Sequence, residues 1–260
     1  MNQLGIIALV LSICAFALTT NYLRLRSSRI RCMFLCAFTL LSLPSVLFAA
    51  YYLHILPERA WFYTLRSWAG TEFLLIFLGC AVGTLASLLP RVLLGVPLFI
   101  LLTIGIVPFI KPLIGPIPDS AFRELWQGDT CLQSTASTCG PASVATILRQ
   151  LGSDSPELAI ARASFSYTGG TEAWYLARYV RTKGFVPSFD FRSTFSPAVG
   201  FPSVVGVRLG GAGHFIAVLD ISDQQVTFAD PLSGASRISL TQFEHRYQFT
   251  GFHMVITKKK

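Results

Sequence analysis

Charge is what this chain has least of. Only 13% of its 260 residues are Asp, Glu, Lys or Arg, about half the share of an ordinary soluble domain. Together with 52% hydrophobic residues, that excludes a disordered chain and an ordinary soluble globule. Acidic residues are scarcest in residues 1–116, where Glu58 and Glu72 stand against eight basic residues, a net of +6. Residues 117–260 carry thirteen basic and eleven acidic residues, a net of +2, and three of the basic ones are the terminal Lys258, Lys259 and Lys260. The overall +8 is therefore mostly a flank charge rather than a basic face, and no nucleic-acid partner is expected. There is no internal repeat and no low-complexity segment. No GxxxxGK[ST] loop is present, so the chain has no phosphate-binding motor of its own. No Cys/His spacing suits zinc, and no cofactor is expected.

What the chain has instead is long apolar runs: Leu4 to Tyr22, Cys32 to Leu53, Phe73 to Leu89 and Val92 to Ile110. Each is close to the roughly 20 residues that cross a hydrocarbon core, and none holds a charge, so four transmembrane helices are expected in residues 1–116. With no ionisable residue inside a span, no proton or ion path has a carrier. Met1-Asn2-Gln3 lacks the basic residue of a signal peptide, so the first span should be retained. Pro90-Arg91 should turn a tight hairpin between the third and fourth spans. Trp61, Trp68, Tyr51, Tyr52 and Tyr63 crowd the region between the second and third, where an interfacial aromatic belt would lie. Gly79, Gly83 and Ser87 recur at four-residue spacing, which suits close helix packing within the bundle. Loop charges set the orientation. Arg24, Arg26, Arg29, Arg31 and Arg91 fall on one side, Arg59 and Arg66 on the other, which places the residues after 111 outside the cytoplasm.

Residues 117–260 suit one domain. Helical periodicity runs from Gly140 to Gln150, with Pro141 in the first turn and Gly152 past the end. Pro156 to Ala163 and Thr171 to Lys183 are expected as further helices. Ser203 to Leu209, His214 to Ile221 and Gln225 to Ala229 are β-rich, followed by a short helix over Leu240 to Tyr247 and a strand over Phe252 to Thr257. Helices first and strands afterwards describe an α+β domain.

Four residues in this half form an ordered set. Cys139 stands at a helix start, where free backbone N–H groups favour an anionic sulfur, the nucleophile of thiol chemistry. Gln133, six residues earlier, can offer a side-chain amide to an oxyanion beside the Cys139 N–H. His214 opens a strand and can present an imidazole. Asp230, sixteen residues on in Asp230-Pro231-Leu232-Ser233-Gly234, can hold the second ring nitrogen. The only other cysteine of this half, Cys131, is either a buried thiol or a partner able to pair with Cys139. His253 lies beyond Asp230 and breaks the order. His245 is expected at the surface, and Trp126 and Trp174 in the core or a cleft wall.

The set resembles the papain-like superfamily and, within it, the bacteriocin-processing peptidases that trim double-glycine leaders. The matching residues are Gln133 to Ser143, His214 with Phe215 to Val218, and Asp230-Pro231 with Gly234. Gly169-Gly170-Thr171, Tyr175-Leu176 and Lys183-Gly184-Phe185 match in the middle, so the resemblance covers residues 126–258. It implies a papain-like fold with Gln133 as oxyanion donor, Cys139 as nucleophile, His214 as general base and Asp230 as the residue that orients it. This chain departs from the family in having Thr138 where an acid often stands, and in placing its membrane part first.

The sequence thus describes a four-span transmembrane α-helical bundle (1–116) followed by an α+β papain-like cysteine peptidase domain (117–260). The expected protein is a multi-pass peptidase of a bacterial plasma (inner) membrane with its peptidase domain extracytoplasmic. Its partners would be the lipid bilayer and a peptide or protein cut after small residues such as Gly through a Cys139 thioester. Any export would need a separate exporter. The competing readings are an amidase, transpeptidase or acyltransferase using the same nucleophile, and a non-catalytic peptide-binding module.

Overall fold

A computed structural model describes residues 2–196, 198 and 200–259. The chain divides into two compact units, Met1–Glu58 with Ala69–Leu113, and Arg59–Trp68 with Ile114–Lys260.

The first unit is helical: α1 (Gln3–Arg24) and α2 (Ser28–Tyr52), then, after a short helix α3 (Ala60–Arg66) that groups with the other unit, α4 (Leu75–Leu88) and α5 (Gly95–Ile106). Segments Gln3–Arg24, Ser28–Tyr52, Thr71–Leu88 and Arg91–Phe109 are long and apolar enough to cross a membrane, in register with the four runs read from the sequence. Their outer faces carry exposed Leu18, Leu40 and Phe99, which suits a lipid-facing surface. Small residues hold the bundle together. A Cβ on Gly79 would collide with the backbone of Ser12, and one on Gly83 would lie 2.6 Å from the Phe16 carbonyl oxygen. The Gly79/Gly83 stripe is therefore spent on the α1–α4 seam. Hydroxyls bridge the same seam: Ser12 Oγ donates to the Leu75 carbonyl at 2.8 Å and Thr20 Oγ1 to that of Gly83 at 3.1 Å. At the end of α4, Arg31 donates to the Ser87 carbonyl at 2.9 Å and Arg24 to that of Leu89 at 3.3 Å, so cations meet the carbonyl-rich helix terminus.

The short helix α6 (Lys111–Ile114) ends the first unit, and beyond it the second unit resumes with a hairpin of β1 (Leu125–Gln127) and β2 (Thr130–Leu132). Helices α7 (Cys139–Gln150), α8 (Glu157–Ala163) and α9 (Ala173–Thr182) follow. A sheet of β3 (Phe185–Phe191), β4 (Ser203–Leu209), β5 (Ala212–Ser222), β6 (Gln225–Asp230), β7 (Gly234–Ser239) and β8 (Gln248–Lys258) closes the unit, with α10 (Leu240–Arg246) before its last strand. The spatial order is β3-β8-β4-β5-β6-β7, with every neighbouring pair antiparallel. This is the α+β architecture read from the sequence. Val205, Val207, Ile216, Val218, Val226 and Phe228 send alternate side chains from β4, β5 and β6 into a core shared with Phe243 and Tyr247. The other principal element of the interior is α7, whose residues 139 to 148 are all buried.

Segment 59–68 departs from the expected aromatic belt. Only Trp61 and Trp68 of the five aromatics are exposed; Tyr51, Tyr52 and Tyr63 are buried. Phe62 and Tyr63 of α3 pack on Trp174 of α9, and Tyr63 also meets Phe189 and Phe191 of β3 and Phe252 of β8. Period-2 and period-3.6 patterns report an element's own buried face, but not which distant element covers it.

Candidate active site

Cys139 is the first residue of α7, with Thr138 as its N-cap, so its backbone N–H belongs to the turn that has no intrahelical acceptor. Gly140 follows because there is no room for a side chain: a Cβ there would sit 2.9 Å from Leu176 and 3.3 Å from Phe215. One turn further on, Ser143 Oγ donates to the Phe215 carbonyl at 3.1 Å, tying α7 to β5 beside His214. His214 on β5 reaches the Cys139 thiol with one side of its ring. Its Nε2 meets Asp230 Oδ1 at 2.8 Å.

The turn after β6 aims that carboxylate. Asp230 pairs with Gly234, which adopts a φ of +90° at a position where a Cβ would also collide with Gln127. The Leu232 N–H donates to Asp230 Oδ1 at 2.9 Å and the Tyr247 hydroxyl to Oδ2 at 2.6 Å. Burial opposes ionisation of Asp230, but the hydrogen bonds from His214, Tyr247 and Leu232 outweigh it and hold the carboxyl down at about 2. Burial likewise opposes the imidazolium, yet the hydrogen bonds to Asp230 and Cys139, reinforced by their charges, raise His214 from 6.5 to about 9. The histidine is therefore held as a cation between a thiol and a carboxylate at neutral pH.

Gln133 is fixed next to this group from two directions. Its backbone N–H donates to the carbonyl of Pro231, the neighbour of Asp230, at 2.9 Å, and its Nε2 donates to the Thr135 carbonyl at 2.8 Å. A side-chain amide has two N–H bonds, so one can serve Thr135 while the other serves a substrate. The Gln133–Cys139 loop is further braced by buried Glu157, which accepts from both the N–H and the hydroxyl of Ser134, and by Thr138 Oγ1, which accepts from the Thr135 N–H at 3.0 Å.

The structure thus brings Cys139, His214 and Asp230 together and ties Gln133 to the Asp230 turn. Sequence reasoning missed Tyr247, Glu157 and Ser143. Ser143 had a signal, since i and i+4 share a helix face with Cys139. Tyr247 and Glu157 act across long separations that no local pattern reports. The other candidates fall away from the site. The neighbouring carboxylates that could have stood in for Asp230, Asp220 and Asp223, are exposed. His253 is fully buried and stacked on Phe195, and burial pushes it down to about 4. His245 is exposed, and Trp174 is core. Cys131 is a buried free thiol that burial, with Glu157 and Glu124 nearby, pushes up to about 12, which suits an inert thiol rather than a redox partner. Among the described residues no group of His, Cys, Asp and Glu is arranged to hold a metal ion.

The sequence profile of the peptidase C39 family matches residues 127–260, the stretch that contains all four site residues. The chain belongs to this family. It is a cysteine-type peptidase. An uncharacterized protein of Methanothermobacter marburgensis is 32% identical over 128 residues, covering 49% of this chain and 87% of the relative. A protein of Pseudomonas aeruginosa named a probable functional amyloid protease, FapD, is 26% identical over 132 residues, covering 47% of this chain and 58% of the relative. Among solved structures, the peptidase domain of Streptococcus ComA, a bi-functional ABC transporter involved in a quorum-sensing pathway, aligns with a TM-score of 0.43 and 20% identity over 50% of this chain and 98% of that domain. The C39 peptidase match stops short of the apolar helices, which lie wholly before residue 127.

Proposed function

We propose that residues 117–260 act as a membrane-anchored endopeptidase in which Cys139 is the nucleophile, His214 the general acid and base, Asp230 the group that orients His214, and Gln133 an oxyanion donor. The observation that carries the reading is His214 held between the Cys139 thiol and the Asp230 carboxylate. The Cys139 thiolate attacks the scissile carbonyl carbon, and the developing oxyanion is received by the Cys139 N–H and the second N–H of Gln133. The carbon–nitrogen bond then breaks while His214 gives its proton to the leaving amine, leaving a thioester on Cys139. Water, losing a proton to His214, attacks the thioester, and the carbon–sulfur bond breaks to release the acid and return the thiolate beside a protonated His214. Asp230, ionised far below neutrality, keeps the ring in one orientation throughout.

The substrate is a peptide or protein cut after a small residue such as Gly, in the manner of a leader peptide, and a separate exporter would carry the product. The family supports the first part. The four apolar segments anchor the enzyme in a plasma membrane. The catalytic part faces away from the cytoplasm, because Arg24, Arg26, Arg29, Arg31 and Arg91 mark the opposite side.

An activity-based thiol probe on membranes, followed by N-terminal profiling of cells with wild type or Cys139→Ala, tests the reading. Probe labelling and a set of new N-termini after small residues should both vanish in the variant while membrane insertion persists. Turnover at the parent rate by Cys139→Ala would end it.

A further inference from the structure

Segment Arg59–Trp68 lies far outside the family match at 127–260, yet it packs inside the same compact unit. Its sequence, Arg59-Ala60-Trp61-Phe62-Tyr63-Thr64-Leu65-Arg66-Ser67-Trp68, is divided by face. Phe62, Tyr63, Arg66 and Ser67 are buried, while Trp61 and Trp68 are exposed. Polar contacts fix its register. Arg66 donates to the Tyr175 hydroxyl at 2.8 Å, Arg178 donates to the carbonyls of Arg66 and Trp68 at 3.0 and 2.9 Å, and Arg181 lies over the Trp68 ring at 4.3 Å. Trp174, Tyr175 and Arg178, all within about one turn of α9, therefore address this segment.

The contact does not end at the surface. Tyr63 meets Phe252 with ring centroids 5.9 Å apart, and Phe252 meets Phe215 at 5.3 Å. Phe215 follows His214 on β5, and its ring lies 3.3 Å from where a Cβ on Gly140, next to Cys139, would stand, with Leu176 closer at 2.9 Å. Its carbonyl accepts from Ser143 of α7. Phe215 thus joins the strand that carries the imidazole to the helix that carries the thiol, and Tyr63 backs it through a single intervening ring. Close-packed rings transmit displacement because their neighbours have no free volume into which to relax.

We propose that segment 59–68, drawn from between the second and third apolar helices, is a positioning element of the peptidase, with Tyr63 acting through Phe252 and Phe215 to set His214 against Cys139. The inference rests on the assignment of those two residues as base and nucleophile. It makes two further statements. The chain from 114 onward lacks a covering element that its own α9, β3 and β8 require. Segment 59–68 and the peptidase also share one side of any membrane the four helices cross.

The test uses the full chain in membranes or detergent. Amide exchange in wild type should protect residues 59–68 to the level of β8; exchange at the rate of an open loop would overturn the docking whatever the chemistry of the site. Tyr63→Ala should lower kcat by tenfold to a hundredfold, about the cost of a small misplacement of reacting groups. KM should be little changed, and the pH profile of Cys139 labelling should be displaced. Tyr63→Phe, which keeps the ring, should restore wild-type values. A Tyr63→Ala enzyme that loses active fraction and Tm but keeps the wild-type kcat per labelled site and the same pH profile would reduce the segment to a structural support and overturn the positioning role. If Cys139→Ala itself still turned over substrate, the assignment of the nucleophile would fail, while the exchange measurement would still decide the docking.

Discussion

The two units use their polar side chains differently. In the apolar bundle, Ser12, Thr20, Arg24 and Arg31 each hydrogen-bond to a backbone carbonyl of α4 or its end. Every such bond satisfies a group that lipid could not, and along this seam the partners are backbone carbonyls. At the centre of the peptidase unit, polar side chains bond to one another: His214 to Asp230, Asp230 to Tyr247, Ser134 to Glu157. A side chain that bonds to another side chain can be moved, ionised or displaced without unravelling a helix. Polarity serves adhesion in one unit and chemistry in the other, and the sites to perturb follow from that division.

The largest effect after loss of the thiol should come from removing a group that only the transition state uses. Gln133→Ala should lower kcat by about 10²–10³ with little change in KM, as for loss of one oxyanion donor. Steady-state kinetics with a peptide substrate decides it, and a loss confined to KM would assign Gln133 to ground-state binding.

Asp230→Asn should act next, through pH. His214 is raised to about 9, so its contribution to folded stability is complete below its ordinary 6.5 and is lost as pH rises through 9. Asp230 is lowered to about 2, so its contribution is complete above its ordinary 3.8 and is lost as pH falls toward 2. The pair is intact between roughly pH 4 and 9. Asp230→Asn removes the first-named force that lifts His214, so the alkaline limb of the rate profile should move to lower pH while kcat falls less than for Cys139→Ala. An unmoved limb would mean that another group holds the imidazolium.

The smallest effect on turnover should come from the bundle. Gly83→Val forces a side chain into the Phe16 backbone and should lower the thermal midpoint of the full chain, leaving kcat per active site unchanged. Overpacking of this kind costs about 1–3 kcal/mol. Should kcat fall as steeply as the midpoint, the division between adhesive and reactive polarity would be wrong.

Much of this was legible in the residues. The four apolar runs, helix α7 with Pro141 and Gly152 at its ends, and strand β4 stand where periodicity and turn chemistry put them. The group of Cys139, His214 and Asp230 was legible because Cys139 opens α7, Asp230 closes β6 and His214 stands near the start of β5, which begins two residues before the expected His214. Three things were not. Strand β3 reads as Phe185-Val186-Pro187-Ser188-Phe189-Asp190-Phe191, and its Pro187 is a strand breaker except at an edge, which is where β3 lies. Strand β7, Gly234 to Ser239, is polar because it forms the opposite edge. The burial of Tyr63 is decided by Trp174, Phe189 and Phe252, more than a hundred residues away, and no window of sequence sees them.

The remoteness of those partners has a consequence in time. Arg66 and the Tyr175 hydroxyl it binds are 109 residues apart in the chain. A ribosome adding 5–20 residues per second needs roughly 5–20 s to cover that distance. For that interval α3 is already made while α9, β3 and β8 are not, so Phe62 and Tyr63 have no aromatic face to enter. Closure must then be a late, long-range event, and loops of such length are slow to order. The catalytic unit is finished by one of its earliest residues folding last, so a chain arrested anywhere before Phe252 carries an unfilled place in its core.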